Sequence, residues 1–247
     1  MMARPTVAYD PSMPTSSDIT VPSPDGDIPA LLCVPDSGSG PGVVLVQEIF
    51  GVNRYIRDVA ERLANEGYVA LAPHMYWRIE ADFAVEATGP DDLPIAFAVA
   101  GQHDPDDGVA DVAAALAHLA GRPEIDGPVG VMGFCFGGSM AYLSAAAHDP
   151  ACAVSYYGSM IGGNLDKAAS ISCPIQFHFG SDDAFLPNED VDGLRAATEE
   201  MSNVEIHVAE GAGHAFDNHR NPMFSNPDAA AIAWATTSAF LAANLKG

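Results

Sequence analysis

The chain has 247 residues, with 10 Lys+Arg against 33 Asp+Glu and a formal net charge of −23. Such an acidic chain is not expected to bind nucleic acid, where affinity comes from basic groups that release counterions from phosphates, or an anionic membrane surface. With 48% hydrophobic residues it is also too apolar for a disordered acidic polypeptide, and its length predicts one domain over residues 1–247 with a self-sufficient core. The charge is expected to serve either as a solubilising surface or as an adaptation to high salt, where screening removes self-repulsion.

Residues 1–17 are rich in Pro, Ser and Thr and are expected to form an irregular arm. They contain no apolar stretch of the signal-peptide kind, and no apolar run approaches the roughly 18 residues of a membrane span. The four cysteines (Cys33, Cys135, Cys152 and Cys173) include no CxxC pair and no Cys/His zinc spacing. The expectation is therefore a cytoplasmic protein in a reducing compartment, with no metal, cofactor or disulfide framework.

Strands are predicted at Asp18–Pro22 and Ile28–Val34 around a turn at Pro24-Asp25-Gly26. Val43–Val46 is a continuous β-branched run, as in a strand buried on both faces. Ile56, Val59, Ala60 and Leu63 repeat at helical spacing within Tyr55–Glu66, which stops at Gly67. Tyr68–Ala72 is the next strand. Residues 73–104 carry Asp, Pro and Gly breakers and are expected to form an excursion over a site. A helix follows at Asp107–Ala120 with Asp107 as its N-cap. Then come a strand at Val129–Met132, a helix from about Ser139 to Ala147, and strands near Ala153–Tyr157 and Ile175–Phe179. The chain closes with a helix at Val191–Glu200, a strand at Val204–Ala209 and a helix from Pro227 to about Leu245. This alternation predicts the α/β class: a mostly parallel twisted sheet with helices on both faces.

Gly133-Phe134-Cys135-Phe136-Gly137 is a G-x-C-x-G between a buried strand and a helix, the setting of a nucleophile elbow. A tight turn there lifts the thiol above the sheet, and the helix behind it offers free N–H groups and a positive dipole end. Both favour a thiolate and a developing oxyanion. Such a nucleophile needs an acid and then a histidine later in the chain. Asp182 and Asp183 both follow the strand Ile175–Phe179, and spacing alone does not choose between them. His214 follows Val204–Ala209 in a Gly-rich loop. His178 and His207 fall inside strands, His74 also follows a strand, and the remaining histidines lack a strand-end position. The imidazole would shuttle the proton and the acid would orient it.

Gln47-Glu48-Ile49-Phe50-Gly51-Val52-Asn53, Gly133–Gly138, Tyr156-Tyr157-Gly158, Asp183–Pro187 and Gly213-His214-Ala215-Phe216 together resemble the dienelactone hydrolase family of α/β-hydrolases, which includes carboxymethylenebutenolidases. The resemblance implies an α/β-hydrolase fold and a cysteine-nucleophile hydrolase that cleaves an ester or enol-lactone through a thioacyl intermediate. It selects Asp183 over Asp182, assigns the oxyanion hole to the backbone N–H groups of Ile49 and Phe136, and gives Glu48 a part in forming the thiolate. It implies a small-molecule substrate, with Arg78 holding a carboxylate on it. The family's second arginine position is occupied by Asn218, with Arg220 two residues further on. Trp77, Tyr76, Phe50 and Tyr157 are candidates for an apolar substrate wall, or equally for the core. The alternatives are a broad small-ester carboxylesterase or thioesterase, a non-catalytic ligand-binding module, and a thiol redox protein. Oligomeric state is not legible.

Overall fold

The structure is a computed structural model, described over residues 14–89 and 91–247. Eight strands form one sheet: β1 (Thr15–Ser23), β2 (Gly26–Val34), β3 (Gly40–Val46), β4 (Val69–Pro73), β5 (Ile125–Phe134), β6 (Ala153–Tyr156), β7 (Ile175–Gly180) and β8 (Val204–Ala209). Their spatial order is β1-β2-β4-β3-β5-β6-β7-β8. The β1–β2 and β2–β4 pairs are antiparallel, and the pairs from β4 through β8 are parallel.

The helices are α1 (Arg54–Asn65), α2 (Asp92–Ala100), α3 (Pro105–Ala120), α4 (Phe136–Ala147), α5 (Asn188–Ala197) and α6 (Pro227–Leu245). Alternation along the central strands divides the core in two. Val44 and Val46 of β3, Val131 of β5 and Phe177 of β7 point to the side that carries α2, α3, α4 and α5. Val43 and Leu45, with Met132 and Phe134, point to the side that carries α1 and α6. Strands buried on both faces read as unbroken apolar runs, and all seven residues of β3 are buried. This is the α/β-hydrolase arrangement.

Several boundaries differ from the sequence expectation. Residues 15–17 belong to β1 rather than to an irregular arm, because they complete the antiparallel register Thr15↔Val34; residues 1–13 lie outside the described residues. The N-cap of α3 is Asp104, whose carboxylate accepts from the Asp106 N–H at 2.9 Å, with Pro105 opening the helix. Pro at the first helical position is favoured because its missing N–H would be unpaired there anyway. Residues 73–104 contain a true helix, α2, whose Leu, Phe, Val and Ala side chains lack a clear amphipathic period. A 3₁₀ stretch over Gly162–Ser170 was not expected at all.

The parallel strands end together, and their carboxyl ends carry the residues of interest, as in other open α/β sheets. Register aligns Val46 of β3 with Gly133 of β5, so Gln47, Glu48 and Ile49 emerge beside Cys135. Close backbone approach holds this junction. A Cβ on Gly137 would meet the carbonyl oxygens of Val46 and Gln47. Gly137→Ala is accordingly expected to lower the urea unfolding free energy by about 1–3 kcal/mol through overpacking, while an alanine at solvent-facing Gly163, which has open space around it, leaves the midpoint near wild type.

Candidate active site

Cys135 sits between β5 and α4 with φ 54° and ψ −114°, a conformation sparsely used by L-residues. Four non-glycine residues have positive φ among the described residues: Ala87, Cys135, Tyr157 and Ala215. Three of them border the same site, so backbone strain is concentrated there. The Cys135 N–H donates to the Tyr156 carbonyl at 3.0 Å, and the Cys135 carbonyl accepts from Ser139 N–H at 3.1 Å. These bonds pin the turn from both sides and leave the half-buried thiol facing the cavity.

Asp183 and His214 meet across the loops after β7 and β8. His214 Nδ1 lies 2.8 Å from Asp183 Oδ2. The other carboxylate oxygen accepts from the Phe185 and Leu186 N–H groups at 2.8 and 3.1 Å, so both oxygens are used and the acid is held in one orientation. Asp182, the other carboxylate that spacing allowed, bonds only its neighbour Ser181 through its side chain. With Nδ1 given to Asp183, Nε2 is left to face the Cys135 thiol. Burial is the largest influence on the imidazole and lowers its pKa. The charge of Cys135, the hydrogen bonds to Asp183 and Cys135, and the charge of Asp183 outweigh it and raise the pKa to about 10. The imidazolium form is thereby favoured beside the sulfur.

Ile49 and Phe136 flank the thiol at the cavity wall. Phe136 is the first residue of α4, where no preceding helical turn supplies an acceptor for its N–H. Among the described residues neither amide has a hydrogen-bond partner.

Glu48 lines the cavity with only 1% of its surface exposed. Its Oε2 accepts from Asn218 Nδ2 at 2.7 Å. Burial pushes its carboxyl up to about 7, against lowering contributions from the Asn218 bond and the His214 charge. Behind it lies a second buried carboxyl, Asp217, which accepts from Tyr55 Oη at 2.7 Å and is also raised by burial. Tyr157 packs between these groups and His214, with ring centroids 5.2 Å apart from the imidazole. Its hydroxyl and Glu48 Oε1 share this cluster without a partner of good geometry. Asp217 and Tyr55 carried no sequence signal, falling in an irregular loop and on a helix face that reads as core, and Asn218 was marked only as standing at the family's second arginine position.

The cavity itself has a volume of about 270 Å³. Phe50 lines it, as expected, with Leu93 and Phe97 from α2, Met160, Phe185 and Phe224. The excursion over residues 73–104 does cover the site, through α2. Arg78 and three of the four aromatic candidates do not line the cavity. The Arg78 guanidinium grips buried Asp111 of α3 with Nη1–Oδ2 2.6 Å and Nη2–Oδ1 3.0 Å, and reaches Asp25 at 2.8 Å. Trp77 donates from Nε1 to the same Asp111 at 2.9 Å and stacks under Arg78. Tyr157 is fully buried behind His214 rather than on the cavity wall, and Tyr76 is likewise core. Arg220 pairs with Asp58 at 2.6 Å on the surface. Carboxylates on neighbouring elements satisfy these cations, a pairing no local pattern discloses.

The three other histidines in or just after a strand stand apart from the reacting centre. His178 is buried against Tyr156 and bonded to Gln176, while His207 is exposed beside Glu205. His74 does not border the cavity. Cys33, Cys152 and Cys173 are buried free thiols, pushed by burial to about 12, 12 and 11. Among the described residues no three His, Cys, Asp or Glu side chains cluster as a metal site would require, and no helix is long and apolar enough to cross a membrane.

The dienelactone hydrolase family model matches residues 28–245. The chain belongs to the dienelactone hydrolase family. It is similar to a carboxymethylenebutenolidase of Pseudomonas sp., 36% identical over 212 residues, covering 86% of this chain and 88% of the relative. The carboxymethylenebutenolidase of Pseudomonas putida is 32% identical over 199 residues, covering 80% and 84%. Among solved structures, a Klebsiella pneumoniae chain assigned to the dienelactone hydrolases superposes with a TM-score of 0.78 at 28% identity, covering 93% of this chain and 98% of that one. As a family member the chain is a hydrolase that acts on ester and lactone bonds of small molecules.

Two outcomes follow from this dienelactone hydrolase site. The folded state holds the Glu48 proton up to about pH 7, whereas the ordinary value of 4.5 applies to the unfolded chain. Wild-type stability therefore carries a contribution that is present below pH 4.5 and is lost as pH rises towards 7. Glu48→Gln removes that loss, so its stability relative to wild type should climb between pH 4.5 and 7 by up to about 1.4 kcal/mol per pH unit. Paired thermal melts across that range check it; a flat difference contradicts it. Separately, Arg78→Ala strands the Asp111 carboxylate and should cost about 1–3 kcal/mol of stability. The kcat/KM on p-nitrophenyl acetate should stay within about twofold, because no transition-state contact is removed.

Proposed function

We propose that this enzyme hydrolyses its ester or enol-lactone substrate through a thioacyl intermediate on Cys135. The supporting observation is the joint geometry of Cys135 on a positive-φ turn and His214 bound at 2.8 Å to Asp183, both at one cavity. The thiolate sulfur attacks the substrate carbonyl carbon, and the carbonyl oxygen gains negative charge. The free N–H groups of Ile49 and Phe136, at the cavity wall and the α4 N-terminus, are positioned to receive that charge. Collapse of the tetrahedral species breaks the acyl–oxygen bond, and His214 gives its Nε2 proton to the leaving alkoxide or enolate. Water then adds to the thioester as His214 takes its proton, the carbon–sulfur bond breaks, and the acid leaves with Cys135 restored as thiolate.

Asp183 holds the imidazole in the tautomer and orientation this shuttle needs. Glu48, poised near neutrality beside the thiol, exchanges a proton with the site as substrate enters and so assists thiolate formation. Its partner here is the uncharged Asn218 amide, which leaves the carboxyl able to take up or release a proton around pH 7. The acidic composition and lack of basic surface fit a cytoplasmic enzyme of small molecules with no nucleic-acid or membrane partner.

A thiolate is both a good nucleophile and a good leaving group, so activated esters and enol-lactones suit this chemistry better than amides. Cys135→Ala should abolish turnover of p-nitrophenyl acetate, and Asp183→Asn should lower kcat by about 10³–10⁴ by releasing the imidazole tautomer. Wild-type rates in the Cys135→Ala enzyme would refute the mechanism.

A further inference from the structure

The walls of the cavity carry information that the catalytic residues do not. Leu93 and Phe97 of α2, Met160, Phe185, Phe224 and Phe50 line it. Phe97, Phe185 and Phe224 stand as an aromatic rim, with ring centroids 6.3 Å apart for Phe97–Phe185 and 6.5 Å for Phe185–Phe224. Phe97 and Phe185 are 48% and 43% exposed, and with Phe224 they form a contiguous aromatic patch at the cavity, the kind of exposed apolar surface that marks a binding site. Apart from the reacting centre with Glu48 and His214, Ser159 is the one side chain with a polar group among the described residues that line the cavity. No Lys or Arg is among them. The two arginines that the sequence offered for an anion clamp are paired elsewhere: Arg78 with Asp111 and Asp25, and Arg220 with Asp58.

A carboxylate held against the apolar walls, away from the reacting centre, would lose its hydration with no Lys or Arg among the lining residues to pair it. An uncharged apolar group would instead remove the exposed Phe faces from water. We infer that the enzyme selects esters or lactones whose acyl portion is uncharged and apolar, and discriminates against carboxylate-bearing substrates. This deepens the hydrolase reading above and rests on it. The small volume, about 270 Å³, limits the group to a short chain or a single ring. Each methylene that fits should raise kcat/KM by up to about fourfold until the cleft is full.

The test compares p-nitrophenyl butyrate with p-nitrophenyl hemisuccinate, which differ by a terminal methyl against a terminal carboxylate at the same acyl length. The net charge of −23 repels any anion from a distance, so the comparison is run at about 1 M NaCl, where the Debye length is about 3 Å. What survives there reflects the cleft itself. Butyrate should be preferred in kcat/KM by at least about tenfold, or about 1.4 kcal/mol. Parity, or preference for hemisuccinate, overturns the inference. Phe97→Arg places a cation on the exposed rim, where the fold tolerates it, and should shrink the butyrate-to-hemisuccinate ratio. An unchanged ratio means the acyl group does not lie against α2 and likewise overturns it. p-Nitrophenyl acetate, too short to present either terminal group to the rim, reports the chemistry separately. Its turnover with loss in Cys135→Ala, together with no discrimination between the longer esters, removes this inference and leaves the hydrolase reading standing. No Cys135-dependent acetate turnover removes both.

Discussion

The constraint on which the site depends is the turn at Cys135. A non-glycine residue is held at φ 54° because every neighbour prevents relaxation. Gly133 and Gly137 approach each other and the end of β3 so closely that no Cβ fits at either position. The Cys135 amide is tied to β6 and its carbonyl to α4. Strain at a functional residue persists only where the surroundings over-determine it, and here two buried strands and a buried helix do so. The thiol is thereby lifted out of the sheet and brought to the start of a helix, where unpaired N–H groups are available without any motion of the protein.

The same carboxyl edge gathers acids of different character. Asp183 has both oxygens occupied by donors and is held in one orientation. Glu48 has one amide partner and deep burial, so its proton is held up to about pH 7. Asp217 lies behind it, capped by Tyr55. Environment, not residue type, separates these roles: saturating hydrogen bonds stabilise a charge, and burial without a cation neutralises it. A chain with 33 acidic residues thus keeps the interior of its site nearly free of uncompensated negative charge.

The cations follow the complementary rule. With so few of them on the chain, Arg78 and Arg220 are each bound by a carboxylate, and Asp111 is 1% exposed with Arg78 and Trp77 both donating to it. Arg78 therefore fastens α3 to the segment after β4 and to the β1–β2 turn. The cleft is left to aromatic and aliphatic side chains, and it is α2, a helix without a clear amphipathic period, that supplies them. The helix is anchored by buried Ala96 and Val99 in the core, while Leu93 and Phe97 face the cleft.

Much of this was legible in the amino-acid order alone. The β-branched runs at Val43–Val46 and Val129–Met132, the periodic face of α1, and the G-x-C-x-G between strand and helix are local patterns with a local physical cause, so the sheet, its helices and the nucleophile turn could be read directly. The order of Cys135, a loop aspartate and His214 also follows from strand-end positions. Spacing could not choose between Asp182 and Asp183, because adjacent loop carboxylates differ only in where the next loop folds; the family resemblance singled out Asp183, and it is Asp183 that His214, arriving from β8, meets. Arg78 looked available because its nearest acids in the chain are not the ones that capture it: Asp111 comes from a helix 33 positions away. The pairing of Asn218 with Glu48 spans 170 positions, and the aromatic rim joins α2 to loops after β7 and β8. Contacts of that range depend on how the layers stack. Tertiary structure therefore decided the charge and shape of the cleft, whereas the sequence by itself determined the scaffold and the reacting groups.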